Sequence, residues 1–419
     1  MEPYLLEWGS LLLRWLHVVT AIAWIGASFF FMHLDASLRS APEMPEEQRG
    51  EAWQVHAGGF YQMRKYLVAP EFMPAMLTWH KWQAYWTWIS GFALLVWIYY
   101  GQSQLYLIDP AVRMLTPLQG AAIGIGGLAL GWLVYDGLCR VLVGRYDALL
   151  VILVFVLVVG SSWGFASVFS GRGALIHTGA LMATLMTGNV FLNIIPNQKK
   201  VVADLIAGRT PNPAFGEQAK QRSDHNNYLT LPVVFLMISN HYPITYANSA
   251  IIPPLVALVI VAGAVIRYFY NRRHADHAKS PWWAWFAAAM AIWAAFWIAM
   301  ASSPGGRERL GLAPLAQVKR ATRQPKAPLK IVAIVESRCS MCHSSRPEWQ
   351  GLQIAPKNVR LDSPGAIARE ADAIKMMAVM SHAMPPNNIT QMTLRERAQL
   401  ADWLASPDRS GAPARRGKL

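Results

Sequence analysis

Residues 147–168 read DALLVILVFVLVVGSSWGFASV, with no charged side chain from Ala148 to Val168. A helix of that length, at about 1.5 Å per residue, crosses roughly 30 Å of hydrocarbon. A chain in lipid must satisfy its own backbone hydrogen bonds, so the run is read as a transmembrane helix. Seven further runs of the same character lie outward from it, near 11–32, 83–100, 120–138, 174–195, 228–246, 250–268 and 282–302. The run 228–246 is interrupted by Pro232, Asn240, His241 and Pro243. The first run is flanked by Glu2 and Glu7, where a cleavable leader carries basic residues, so it too is read as a span. The expected fold is all-α: a polytopic bundle of eight transmembrane helices followed by a small helical domain.

Composition agrees. Of 419 residues, 54% are hydrophobic and only 15% charged, against about 25% charged in an average soluble domain. That excludes a disordered chain and an ordinary soluble enzyme. Eighteen Trp residues suit the interfacial belts of membrane helices. The net charge of +14 does not point to nucleic acid, because its placement gives a better account. The loops after the first, third, fifth and seventh runs hold sixteen Lys and Arg, and the loops on the other side only Arg113 and Arg172. Basic loops stay cytoplasmic, so the N-terminus is expected outside, and eight crossings return the C-terminus outside. Arg307, Arg309, Lys319 and Arg320 after the last run oppose this, but long translocated domains tolerate such charge. The inner loop 33–82, with Trp53, Phe60, Tyr61 and Tyr66, reads as an interfacial segment against the membrane.

With a C-x-x-C-H motif at Cys339–His343, the expected division is a membrane domain over 1–303, a Pro- and Gly-rich linker over 304–328, a small class I-like cytochrome c domain over 329–408 and a tail over 409–419. Cys339-Ser340-Met341-Cys342-His343 is the C-x-x-C-H signature of c-type haem attachment. Two thiols a turn apart reach the two vinyl groups of one macrocycle, and His343 is then placed to bind the iron. Met384 is the favoured sixth ligand, because a thioether raises the potential as in cytochromes c; Met380, His382 and Met392 compete. Zinc needs four ligands and there is no second Cys pair. Haem c is attached in the bacterial periplasm, which again requires an outside C-terminus. Residues 393–405 read as an amphipathic closing helix. Cys139 reads as an inert thiol.

Ionisable side chains within spans are costly and mark function. His17, His177 and His241 fall toward the outer side, His33 and His80 toward the inner. All five are candidate ligands of one or two haem b groups, since neutral imidazole is a common metal ligand.

The runs HVVTAIAWIGASFFFMHLDASL (17–38), VHAGGFYQMRKY (55–66), WHKWQAYWTWISGF (79–92), NIIPNQKK (193–200) and HNNYLTLPVVFLMISNHYP (225–243) together resemble the membrane-bound urate hydroxylase family (PuuD type). The resemblance covers nearly the whole chain. The opening LRWLHVVTAIAWIGA (13–27) also resembles the first helix of HemJ-type membrane proteins, in which a His holds haem b. The family resemblance implies oxidation of urate to 5-hydroxyisourate, with electrons passed to the cytochrome domain and on to a soluble cytochrome or terminal oxidase. It implies a bacterial inner-membrane protein with urate and the lipid bilayer as partners. A purine anion needs donors, stacking aromatics and a base. His56, Tyr61, Arg64 and Lys65, with His225, Asn226, Asn227 and Tyr228, are the expected substrate contacts, His56 or His225 serving as base. An inner site would need a relay of haem across about 30 Å; an outer site near His17, His177 and His241 would not. Two other readings stand beside the enzyme: an electron-transfer haem subunit of another dehydrogenase or quinol-oxidising complex, and a transporter with a fused cytochrome.

Overall fold

The computed structural model describes residues 2–40, 48–66, 73–109, 112–246, 248–276, 279–302, 307, 309–312, 327–349, 352, 354–380, 384–385 and 388–405. The chain is mostly helical. The bundle consists of α1 (Glu2–Ser37), α2 (Trp82–Leu94), α3 (Pro117–Leu142), α4 (Asp147–Ala166), α5 (Gly171–Gly188, continuing to Ile206), α6 (Pro213–Ser239), α7 (Ile252–Ala275) and α8 (Trp283–Ser302).

Among the described residues, six helices are long and apolar enough to cross a membrane: Trp8–Ser37, Pro117–Leu142, Asp147–Ala166, Gly171–Ile206, Ser249–Ala275 and Trp283–Ser302. The other two expected spans are helical but differ from that set. α2 passes at Leu95 into a π-helical turn that ends at Tyr100, and the first half of α6 is polar, PAFGEQAKQRSDHNN. α6 also stops at Ser239, short of the expected 246.

Side-chain size sets the packing. α4 buries Leu150, Val154, Val158, Ser162 and Phe165 along one stripe while Val151, Ile152, Val156 and Trp163 stay exposed. An apolar face on both sides is what lipid contact demands. α8 turns Ala284, Ala288, Ala291, Ala295 and Ala299 inward and Trp283, Phe286, Trp293 and Phe296 outward. Without a hydrophobic drive between helices, small residues allow the close approach that dispersion needs. Gly263 on α7 serves the same end, since a Cβ there would lie 2.6 Å from Pro232 Cδ. The proline within α6 thus has room made for it on α7.

The all-α expectation fails in the loop 33–82. Residues Gln48–His56 (β1) and Gly59–Tyr66 (β2) form an antiparallel hairpin, His56 opposite Gly59. The connecting Ala57 and Gly58 both have positive φ, 50° and 79°, as a type I′ turn requires. Glu51 faces Arg64 across the ladder, bonded at 3.4 Å, and Lys65 reaches Asp35 of α1 at 2.6 Å. Local turn chemistry in HAGG, with alternation in the flanking residues, makes strands where the sequence reading named none.

The C-terminal part is a second helical unit. α9 (Leu329–Arg338), α10 (Pro364–Arg369), α11 (Ala371–Ile374, continuing into a π turn to Met380) and α12 (Leu394–Ala405) share a core that includes Ile331, Val335, Leu361, Ile367, Leu400 and Leu404. The closing helix starts on a capping box: Thr393 Oγ1 accepts from Glu396 N at 3.2 Å, and Glu396 Oε2 accepts from Thr393 N at 2.7 Å. Arg338 of α9 pairs with Glu396 at 3.0 Å.

Candidate functional site

α1, α2, α5 and α6 enclose two cavities, one nearer each end of the bundle. The first, of about 370 Å³, lies at the hairpin end. Trp24, Ser28, Phe31 and Asp35 of α1 line it, with Trp79, His80 and Gln83 at the start of α2, Gln198 on α5, and Ser223, Asn226 and Thr230 on α6. Part of its wall is Val190 and Ile194, which belong to a π-helical turn in α5, Asn189–Ile194. Such turns recur at functional sites because the extra residue redirects side chains. The ring of His80 meets Phe31 edge-on at 4.8 Å.

A saturated polar network stands behind this cavity. Asn226 Oδ1 accepts from Asn189 Nδ2 at 2.9 Å, and Asn226 Nδ2 donates to Met186 O at 3.0 Å. Asn189 Nδ2 also donates to Tyr135 Oη at 2.8 Å, and its Oδ1 accepts from Arg222 at 3.1 Å. The phenol oxygen also meets His225 Nδ1 at 2.8 Å. Arg222 and Asp136, both buried, pair at 2.7 Å, and Arg140 holds the other Asp136 oxygen at 2.6 Å. Buried charges persist where they are paired and hydrogen-bonded like this.

Of the expected substrate contacts, the structure brings only Asn226 to the cavity wall. His225 sits one layer behind, on Tyr135. Asn227 is fully buried and accepts from Arg267 at 2.7 Å, while Tyr228 accepts from Asn271 at 3.4 Å. His56 is exposed beside the hairpin turn, Tyr61 is exposed on β2, and Arg64 is engaged with Glu51. The sequence reading missed Tyr135, Asn189 and Arg222, and it grouped His80 with haem ligands rather than with this wall. The amide of Asn189 inside the predicted run 174–195 was an available signal; Tyr135 is an ordinary aromatic in its run, and Arg222 falls in a loop between runs.

The second cavity, of about 260 Å³, lies about 10 Å further along α1, the rise from Trp24 back to His17. Its body is apolar, with Val18, Phe92, Leu95, Ile98 and Ile176, and its polar lining is Arg14, His17, Arg172, Asn240 and His241. The other π turn, Leu95–Tyr100, supplies Ile98 and Tyr99. His17 Nδ1 donates to Thr87 O at 3.0 Å, and His241 Nδ1 donates to Ile238 O at 3.2 Å. A Cβ at Gly91 would lie 2.7 Å from His17 Cε1, so only glycine leaves the imidazole its place.

The other histidines are placed differently. His177 is fully buried; its Nδ1 donates to Gly173 O at 2.8 Å and its Nε2 faces Tyr100 Oη at 3.1 Å. Both nitrogens are therefore engaged, and the ring is packed on Phe165 and Phe169. His33 meets His274 edge-on at 4.4 Å near the hairpin. Only His17 and His241 of the five face one cavity.

The C-terminal unit meets the bundle at the second cavity's end. The turns Pro243–Thr245 and Pro356–Asn358 touch. Surrounding protein and the charges of Arg172 and Arg14 lower the Lys357 pKa, and burial with the nearby Asp109 raises that of Glu370. N-terminal α1 and the C-terminal unit thus share one end of the bundle.

The residues of the C-x-x-C-H segment suit covalent haem. Cys339 and Cys342 lie on one turn, with His343 N donating to Cys339 O at 2.9 Å. His343 Nδ1 donates to Val359 O at 3.0 Å, leaving Nε2 as the ligand atom. Burial, with Cys342 beside it, pushes the Cys339 thiol up to about 12, so it stays protonated. Met384 is held by its backbone: its N donates to Met377 O at 2.9 Å and its carbonyl accepts from Arg397 at 2.9 Å. Met392 is buried in the core, away from that role. Ser381, His382 and Ala383 lie outside the described residues. Among the described residues no group of three or more His, Cys, Asp or Glu converges on one point.

A family model described as urate oxidase N-terminal matches residues 3–299, the bundle and hairpin together. No curated protein matches the chain, and no solved structure does.

Proposed function

Given that the chain belongs to the urate oxidase N-terminal family, we propose that it is a membrane-bound oxidoreductase that converts urate to 5-hydroxyisourate in the first cavity. The reaction takes urate and water to 5-hydroxyisourate, two protons and two electrons. The observation that carries this reading is the wall itself. Trp24, Phe31 and Trp79 offer faces for a planar ring, and Gln83, Gln198 and Asn226 offer paired donors and acceptors for its alternating N–H and C=O edge.

His80 and Asp35 are the groups in reach of a proton lost from the ring or the attacking water. Lys65, tied to Asp35, keeps a cation at the rim for an anionic substrate. The chain from Asn226 through Asn189 and Tyr135 to His225 is a positioning network: every member is hydrogen-bonded, so Asn226 cannot swing away from the cavity. His56 and His225 thus give up the role of base to His80.

Cys339 and Cys342 would hold a haem c covalently, with His343 and Met384 as its iron ligands, and the group would supply a one-electron acceptor. The C-terminal unit's contact with the end of the bundle opposite the hairpin supports placing it outside a bacterial inner membrane, with all eight helices crossing. From there it would serve a soluble cytochrome or a terminal oxidase. The test is anaerobic addition of urate to the purified full-length protein. Reduction of the c-type band by urate, lost in His80→Ala, is expected. Reduction by dithionite but never by urate would overturn the reading in favour of an electron-transfer subunit.

A further inference from the structure

We propose that the second cavity is a binding site for a non-covalent haem, with its iron between His17 and His241 and its carboxylates on Arg14 and Arg172. Three observations converge. The first is unsatisfied donors. Arg172 and Tyr99 are buried, yet Arg172 Nε and Tyr99 Oη have no hydrogen-bond partner. A buried donor left unpaired costs about 1–3 kcal/mol, more when charged, and a carboxylate between them would remove that cost. The second is charge: Arg14 joins Arg172 at the cavity, and Lys357 of the C-terminal unit comes close enough to feel both. Converging cations call for an anionic partner.

The third is the imidazoles. His17 and His241 each donate Nδ1–H to a backbone carbonyl, which leaves the Nε2 lone pair available. That outer hydrogen bond is the usual support of a metal-ligating histidine. His177 lacks the arrangement, because Tyr100 occupies its Nε2. A lipid acid would use the arginines and leave two imidazoles idle; a quinone would use the imidazoles and bring no anion. A macrocycle with a metal at its centre, carboxylates on one edge and apolar surface elsewhere uses the whole lining. The site follows from these residues alone and does not depend on the substrate assigned to the first cavity.

The experiment uses full-length protein purified in mild detergent. Acid–acetone removes non-covalent haem and leaves haem c attached, so the two are counted separately as pyridine haemochromes. Extractable haem comparable in amount to the covalent haem is expected. His17→Ala should lose it while covalent haem stays unchanged. Should His17→Ala fail to fold, Arg172→Gln carries the test. It should retain haem about tenfold more weakly, the effect of one charge-assisted pair, with Arg172→Lys recovering part of the loss. Absence of extractable haem beside full covalent haem would overturn the proposal, as would extractable haem indifferent to both variants. A raised urate KM in Arg172→Gln, with no extractable haem in any variant, would assign the cavity to the substrate anion instead.

Discussion

The two ends of the bundle use the same four helices and present opposite chemistry. At the hairpin end, α1, α2, α5 and α6 offer amides, hydroxyls, a carboxylate and indoles around a cavity whose rear wall is a closed hydrogen-bond network. At the other end they offer aliphatic and aromatic surface rimmed by arginines whose donors are not all used. A π turn marks each cavity, in α2 at one end and in α5 at the other. The lesson is that satisfied polar groups hold a shape ready for a polar substrate, whereas unsatisfied ones specify a ligand of opposite charge.

The largest effect that would break this contrast comes from the C-terminal unit. Replacing Cys339 and Cys342 by Ala should abolish covalent haem, and with it the reduction of the c-type band by urate. A haem stain on a denaturing gel checks the first loss, and haem surviving there would end the C-x-x-C-H reading.

Next, His80→Ala should slow urate turnover by about 10²–10⁴-fold, the usual worth of a positioned base, with haem content unaffected. His56→Ala, at the exposed hairpin turn, should leave turnover within about twofold. Equal losses in the two variants would move the substrate site from the cavity to the hairpin.

Asp136→Asn leaves Arg222 buried without its counter-ion. Breaking such a pair costs about 3–5 kcal/mol, so the thermal unfolding midpoint in detergent should fall and urate KM rise together. An unchanged midpoint would mean the network does not hold the hairpin end rigid. In the C-terminal unit, Glu396→Ala removes a capping box and the Arg338 partner, for about 1 kcal/mol, read as a small drop in chemical stability of the haem c spectrum.

The smallest effect is a pH dependence at the contact between the unit and the bundle. The Glu370 pKa is raised in the folded protein by burial first and Asp109 after it. The docked state therefore favours the protonated acid: its stability is fullest at low pH and declines as pH rises through the raised pKa. Hydrogen exchange at 356–358 should quicken across that window in the native protein and stay level in Glu370→Gln. A slope identical in both would remove Glu370 from the contact.

Much of this was legible beforehand. Uncharged runs such as 148–168 announce helices because lipid permits little else; the C-x-x-C-H spacing raises the expectation of covalent haem that the spectra above are to test. The closing helix Leu394–Ala405 was visible from its period, and its Thr393–Glu396 cap came to light with the structure. The hairpin was missed because its signals, Ala57-Gly58 and alternation, are short and local. Five histidines were legible as candidates, but not the sorting of them. His17 and His177 look alike in sequence, yet one faces a cavity and the other is closed by Tyr100.

The sequence by itself thus determined the long apolar helices and their order, and it proposes the residues able to carry haem, because hydrophobic length, backbone self-satisfaction and motif spacing are properties of contiguous chain. Only the tertiary structure decided that Asn226 and His80 share a wall with Trp24, that His225 stands behind it, and that Arg14 and Arg172 close on His17 and His241. Those neighbours come from helices far apart in the chain. Which faces of four helices meet depends on small residues such as Gly91 and Gly263 and on where a π turn shifts the register, and that is settled by packing in three dimensions.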